Sequence, residues 1–122
     1  MKRIPNPEET KTRTLMDYAL VALAQLGGRA TRDQIVDRVG ELIRDHLTPA
    51  DLVPVHWGPD GKSAYVPEGY TGETWPVWAN KSKQAIVNAI REKLVISDAG
   101  ACIFSPDGLR HVGMLAARGL KQ

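Results

Sequence analysis

Paired glycines and a capping motif divide the first part of this chain into two short helices. Gly27-Gly28 closes a segment whose apolar residues repeat at helical spacing, and paired glycines are a typical helix stop. The next signal, Thr31-Arg-Asp-Gln34, has the spacing of a capping box, in which hydroxyl and amide groups satisfy the free backbone groups of a first helical turn. We therefore predict one helix over residues 14–26, a short extended link at 29–30, and a second helix ending near His46.

Further start signals and one long break follow. Thr14-Leu-Met-Asp17 is interpreted as the capping box of the first helix, and Thr48-Pro-Ala-Asp51 predicts one more short helical turn. Residues 54–79 are rich in proline and glycine and hold all three tryptophans, which predicts a long loop inserted in the domain. Asn80 is a good N-cap for a third helix.

The last third of the chain predicts a hairpin and a closing helix. Short apolar runs at 94–96 and 101–104 flank Ser97-Asp-Ala-Gly100, the pattern of two strands joined by a turn. Ser105-Pro-Asp-Gly108 then opens a final helix that runs to about Ala117 and is ended by Gly119. The predicted fold class is therefore α+β and mostly helical, with one domain over residues 14–119.

Length and cysteine content indicate the general class of protein. A chain of 122 residues is long enough for one domain that folds around its own hydrophobic core. Cys102 is the only cysteine, which excludes an intrachain disulfide and fits a reducing compartment. No segment of the sequence has the apolar length of a signal peptide or a membrane span. We expect a cytoplasmic protein, associated with the nucleoid, that does not contact a membrane.

Positive charge is concentrated in two places. The net charge is only +2, but residues 80–94 carry four basic side chains against one acid, and residues 47–79 carry a net charge of −3. Residues 1–13 carry four basic and two acidic side chains and two prolines, which predicts a flexible basic tail. The third helix and the tail are therefore the expected contacts for a polyanion.

Catalytic and metal-binding patterns are missing from the sequence. His46, His56 and His111 are scattered without the spacing of a metal site. There is also no Gly-rich phosphate loop, serine triad or catalytic carboxylate pair. We expect neither an enzyme nor a protein with a cofactor, a metal or a small-molecule substrate.

Three helices followed by a hairpin form the winged-helix arrangement, a helix-turn-helix with an added β wing. The stretch from Ala19 to Val36, with its paired glycines before an Ala-Thr helix start, resembles the N-terminal winged-helix domain of Mrr-type restriction proteins. Residues 78–94 resemble that domain's third helix, and residues 97–108 resemble its wing and closing helix. The resemblance implies a winged-helix fold and contact with double-stranded DNA. It does not extend to the nuclease domain that follows this module in those proteins.

The third helix holds the main candidates for DNA contact. At helical spacing Lys81, Gln84, Asn88 and Arg91 form one stripe, opposite an apolar face, with Lys83 nearby. Lysines position a protein on phosphates, whereas amides pair with adenine and arginine with guanine in the major groove. Arg29 and Arg32, beside the start of the second helix, are further candidates for phosphate contact, although Arg32 can instead pair with a neighbouring aspartate.

The sequence leaves several functions open. The first hypothesis is a bacterial or phage regulator of transcription, or an architectural protein, that binds double-stranded DNA and forms a homodimer or uses tail and wing as a second contact. The second is a protein-interaction adaptor that works through Trp57, Trp75 and Trp78, although we expect these tryptophans to form a brace that holds the loop to the domain. The third is the recognition component of a restriction or defence system.

Overall fold

The computed structural model describes residues 10–57 and 63–117. In this part of the chain the protein is an α+β fold of four α-helices and two small antiparallel sheets. The helices are α1 (Thr12–Gln25), α2 (Arg32–Ile43), α3 (Val77–Arg91) and α4 (Pro106–Ala117), with 3₁₀ turns at Arg44–His46 and Pro49–Leu52. The strands are β1 (Arg29–Ala30), β2 (Pro54–Trp57), β3 (Ser63–Tyr65), β4 (Trp75–Pro76), β5 (Val95–Asp98) and β6 (Ala101–Phe104).

Two of the three predicted capping boxes are confirmed. The Thr31 hydroxyl accepts a hydrogen bond from the Gln34 backbone at 3.2 Å, and the Gln34 amide oxygen accepts one from the Thr31 backbone at 2.9 Å. Thr48 and Asp51 make the same reciprocal pair at the second 3₁₀ turn. Both motifs were readable because their partners are only three residues apart.

The predicted start of α1 is wrong. The helix begins at Thr12, after Lys11, and its N-cap makes no side-chain hydrogen bond, so Thr14 and Asp17 do not form a capping box there. Two residues assigned to a flexible tail, Thr12 and Arg13, therefore belong to α1. Two further residues of that predicted tail are also ordered, since Thr10 hydrogen-bonds to Asp51 and Lys11 is the N-cap of α1, and residues 1–9 lie outside the described residues. The predicted stop is confirmed, since Gly27 and Gly28 follow the helix with φ angles of +92° and +87°.

The extended link at residues 29–30 becomes a strand. Arg29 lies opposite Ile103 and Ala30 opposite Cys102, so β1 pairs with β6 of the predicted hairpin. The hairpin itself is confirmed, with Val95 facing Phe104 and Asp98 facing Ala101. The first sheet therefore has the order β1-β6-β5 and joins the two halves of the chain.

The predicted long loop over residues 54–79 is wrong in structure. It contains a second sheet of order β3-β2-β4 and the first residues of α3. Val55 of β2 is fully buried and lies opposite Tyr65 on one side and Trp75 on the other. Pro54 and Pro76 are paired at the end of this sheet, a position where a missing N–H interrupts no ladder. The sequence does not reveal these strands because strands of two to four residues between prolines and glycines are too short to show a period.

The core is built around α1. Seven of its residues are buried, and the helix packs against α2, α3 and α4. Leu15, Leu20 and Leu23 are each at most 1% exposed. The core is completed by apolar side chains of α2, α3, α4 and the first sheet. Burial of this apolar surface is the main force that holds the four helices together.

The closing helix α4 begins where the sequence predicts. Ser105 caps it, since its hydroxyl accepts from the Gly108 backbone at 3.0 Å and donates to the Lys93 carbonyl at 2.6 Å. Gly108 packs so tightly on the chain after α3 that an added Cβ would lie 1.9 Å from the Leu94 carbonyl oxygen. Gly119, the predicted helix stop, lies outside the described residues.

Candidate nucleic-acid interface

The register of α3 decides which of its side chains are accessible. The helix begins at Val77, with Pro76 as N-cap, so the prediction that Asn80 is the N-cap is wrong. Ser82, Ala85, Ile86 and Ala89 are at most 2% exposed and form the packed side. At about 100° per residue the opposite side carries the outer face of α3, which we define as Asn80, Gln84, Val87, Asn88 and Arg91.

Asn80 is the residue of the outer face that sequence analysis missed. Because it lies four residues before Gln84, it continues the row of amides by one turn. The same spacing is present in the sequence, but the assignment of Asn80 as a cap hid it. The helix begins four residues before the start that an N-cap at Asn80 implies, which places Asn80 inside the helix.

Lys81 does not lie on an exposed stripe. Only 8% of this residue is accessible, so the expectation that it shares an open face with Gln84 and Arg91 is wrong. The physical reason is its position at the border of the packed side, where α3 also contacts the Pro49–Leu52 turn and the second sheet. A lysine side chain with so little accessible surface cannot extend to a phosphate without rearrangement of its surroundings.

The second sheet also covers one flank of α3. The Lys83 ammonium lies 5.4 Å from the centre of the Trp75 ring, within the range of a cation–π contact. Lys83 is half-buried and Trp75 of β4 is half-buried beside it. The inserted segment therefore restrains Lys83 at the edge of the outer face, and the exposed centre of that face is left to Gln84 and Arg91.

Two amides of the outer face are joined. Gln84 Nε2 donates to Asn88 Oδ1 at 3.0 Å across one helical turn. Gln84 is exposed and Asn88 half-buried, so the pair is accessible from solvent. This arrangement presents planar polar groups that can donate and accept together, which is what a base edge in the major groove requires.

Of the basic side chains in residues 80–94, only those at the C-terminal end of the segment are exposed. Glu92 is engaged by Arg13 of α1, with Nη1 3.1 Å from Oε1. Arg91 and Lys93 are exposed and have no ion-pair partner among residues 10–57 and 63–117. Arg91 in the last turn of α3 and Lys93 two residues after the helix are therefore the cations that this end of α3 offers to an anion.

Arg29 and Arg32 lie beside the hairpin. Arg29 Nη1 is 2.9 Å from Asp98 Oδ2 near the end of β5, an exposed ion pair that ties β1 to the hairpin. Arg32 is exposed in the first turn of α2, and no ion pair with Asp33 or Asp37 is found in the described part of the chain. The structure thus leaves Arg32 the freer of the two candidate cations.

A cavity of about 350 Å³ separates the first turn of α2 from the hairpin and is lined by Thr31–Asp33, Ser97 and Gly100–Cys102. Burial raises the pKa of the Cys102 thiol, and the nearby Arg32 guanidinium opposes that change only in part. Cys102 is 2% exposed and therefore packs as a small residue of the core.

The side-chain contacts of two of the three tryptophans are defined. Trp78 packs against the hydrophobic core and lies over Gly40 of α2, where an added Cβ would be 2.7 Å from the ring. Trp75 contacts Lys83 instead. Trp57 ends β2. Trp78 therefore bridges α3 and α2, as a brace would.

Among the described residues, no helix has both the length and the apolar character needed to cross a bilayer. Within the same residues, no three His, Cys, Asp or Glu side chains are grouped as metal ligands. Comparisons with protein-family models, curated proteins and solved structures found no match to this chain.

Proposed function

We propose that this protein binds double-stranded DNA as a winged-helix domain, with the outer face of α3 in the major groove. The observation that carries the proposal is the row Gln84, Asn88 and Arg91 on the accessible side of a helix whose other side is packed into the core. A rigid helix that presents planar amides and a guanidinium has the chemistry to contact base edges and phosphates together.

The order of elements supports the same proposal. A helix, a short strand and two further helices precede the β5–β6 hairpin, which pairs with the short strand. This order fits a winged helix whose hairpin is the wing, and it agrees with the resemblance to the N-terminal domain of Mrr-type restriction proteins. In that arrangement Arg32, in the first turn of α2 beside the hairpin, is the candidate second contact to the phosphate backbone.

The proposal is tested by titrating the protein into a labelled random-sequence duplex. Fluorescence anisotropy measures the affinity at low and at physiological salt. We expect affinity that falls as salt rises, because each phosphate contact releases condensed counterions. Arg91→Ala should weaken binding, whereas Arg110→Ala, which removes an exposed arginine from α4, should leave it unchanged. No binding at either salt concentration would reject the proposal.

The second candidate is a protein-interaction adaptor, favoured by one observation. Tyr65 and Tyr70 of the inserted segment are 46% and 37% exposed, and Leu52 just before it is 55% exposed; aromatic side chains are enriched at the centres of interfaces. Glu68 and Glu73 lie on the same segment, so its charge does not favour DNA. An adaptor would bind a partner protein through this segment and show no affinity for duplex DNA.

A further inference from the structure

We propose that Gln84 and Asn88 act as one unit that reads a single adenine, with Asn88 contacting the base and Gln84 holding the Asn88 amide in place. This inference rests on the proposed DNA binding and goes further, because it names the base and gives the two residues different roles. It starts from the 3.0 Å hydrogen bond from Gln84 Nε2 to Asn88 Oδ1.

The hydrogen bond leaves Asn88 able to bind a base. An amide oxygen has two lone pairs and an amide nitrogen has two N–H groups, so one lone pair accepts from Gln84 while the other remains. Both N–H groups of Asn88 are without a protein acceptor in the described part of the chain. Asn88 thus still offers an acceptor beside a donor.

Adenine is the base whose major-groove edge matches this pair. It presents the N7 acceptor beside the N6 amino donor, and a single amide satisfies both. Guanine presents two acceptors, which suit an arginine fork, whereas cytosine presents only an amino donor and thymine only an acceptor beside a methyl group. The chemistry of Asn88 therefore selects an A·T pair at one position of the site.

Gln84 is assigned the positioning role because of the direction of its bond. A free asparagine amide can turn over and exchange its oxygen and nitrogen, which would place a donor opposite the adenine amino group. The N–H of Gln84 favours the oxygen of Asn88 on its side and so selects one of the two orientations before DNA arrives. Gln84 is also more exposed than half-buried Asn88, so its removal leaves the packing of α3 intact.

The test begins with a preferred duplex obtained by in-vitro selection. Each adenine of that duplex is replaced in turn by 7-deazaadenine, which lacks the N7 acceptor, or by purine, which lacks the N6 amino group. Affinities are measured for the native protein, Asn88→Ala, Gln84→Ala and the double variant, on both preferred and random duplexes. Lys93→Ala is the control for a residue expected to contact phosphate only.

We expect one adenine to stand out. Its replacement should weaken the native protein about 5- to 150-fold and leave Asn88→Ala unaffected. Gln84→Ala should lose part of the preference, and should lose nothing more once Asn88 is already alanine, since coupled residues are not additive. Lys93→Ala should weaken binding to preferred and random duplexes equally.

The outcomes separate this inference from the proposed function. Absence of binding to any duplex would reject the DNA-binding function itself. If Asn88→Ala weakens binding equally on preferred and random duplexes, the protein still binds DNA but Asn88 does not recognise adenine. If Gln84→Ala and Asn88→Ala cause additive losses at two different bases, the two residues make independent contacts. That result would reject the proposal that they act as one unit.

Discussion

Thr10 donates two hydrogen bonds to Asp51, a residue 41 positions along the chain. Its backbone nitrogen is 2.6 Å from Oδ1 and its hydroxyl is 2.7 Å from Oδ2. Asp51 is fully buried and also accepts from the backbone of Thr48 at 3.1 Å. This one carboxylate therefore fastens the segment before α1 to the 3₁₀ turn that packs against α3.

Asp51→Asn is expected to destabilise the protein by roughly 2–4 kcal/mol. The amide keeps one oxygen but replaces the other with a donor, which would face the donors of Thr10 and Thr48 and leave a buried group unsatisfied. Urea unfolding measures the change. Asp45→Asn, at an exposed position of the preceding 3₁₀ turn, is the control and should stay within about 0.5 kcal/mol of the native protein.

The contribution of Asp51 should disappear in acid. Burial alone would raise the pKa of this carboxyl, but the hydrogen bonds from Thr10 and Thr48 outweigh it and hold the pKa below the ordinary value of 3.8. The stabilisation is therefore complete above the pKa of the unfolded chain and is lost as pH falls through the lower pKa of the folded state. The difference in unfolding free energy between native protein and Asp51→Asn should be constant near neutral pH and shrink below about pH 4. A difference that grows in acid would contradict this assignment.

Two glycines of α4 should respond in opposite ways to alanine. Gly108→Ala places a Cβ 1.9 Å from the Leu94 carbonyl oxygen, which is backbone and cannot turn aside, so we expect a loss of about 3 kcal/mol or more. Gly113→Ala meets nothing within 4 Å and should gain about 0.5–1 kcal/mol from helix propensity. Thermal melting of both variants checks this prediction. Equal changes in melting temperature would mean that Gly108 does not pack closely against the Leu94 backbone.

Trp78→Ala should lower stability by about 3 kcal/mol without changing the oligomeric state. The ring packs on the core and fills the space over Gly40, so its removal leaves a cavity between α3 and α2. Matched melting and sedimentation runs on the one variant distinguish a brace from an interface. A variant that keeps its melting temperature and loses self-association would support the interface instead.

Burial predicts that Lys81 and Arg91 will behave differently toward DNA. Arg91→Ala should lower the slope of log affinity against log salt by about one unit, the release expected for one phosphate contact. Lys81→Met should leave that slope unchanged, because Lys81 is only 8% exposed. Equal reductions in slope for the two variants would show that Lys81 is accessible in the complex, and both proteins should first be confirmed as folded by circular dichroism.

Local signals in the sequence predicted most of the helices and the hairpin correctly. The Thr31–Gln34 and Thr48–Asp51 boxes, the glycine stop at Gly27 and the cap at Ser105 all act between residues a few positions apart. The candidate site was found in part for the same reason, since the i, i+4 spacing of Gln84 and Asn88 is fixed by the helix itself.

The sequence by itself thus determined where α2 and α4 start, where α1 stops and which side of α3 is polar, because those properties depend on hydrogen bonds and periodicity within one segment. Only the tertiary structure decided that Arg29 joins a strand and pairs with Asp98, 69 residues away, and that Asp51 holds Thr10. It also decided that Lys81 is buried while Arg91 is open, because the second sheet packs against one part of α3. Such contacts join residues far apart in the chain, and no periodicity within one segment records them.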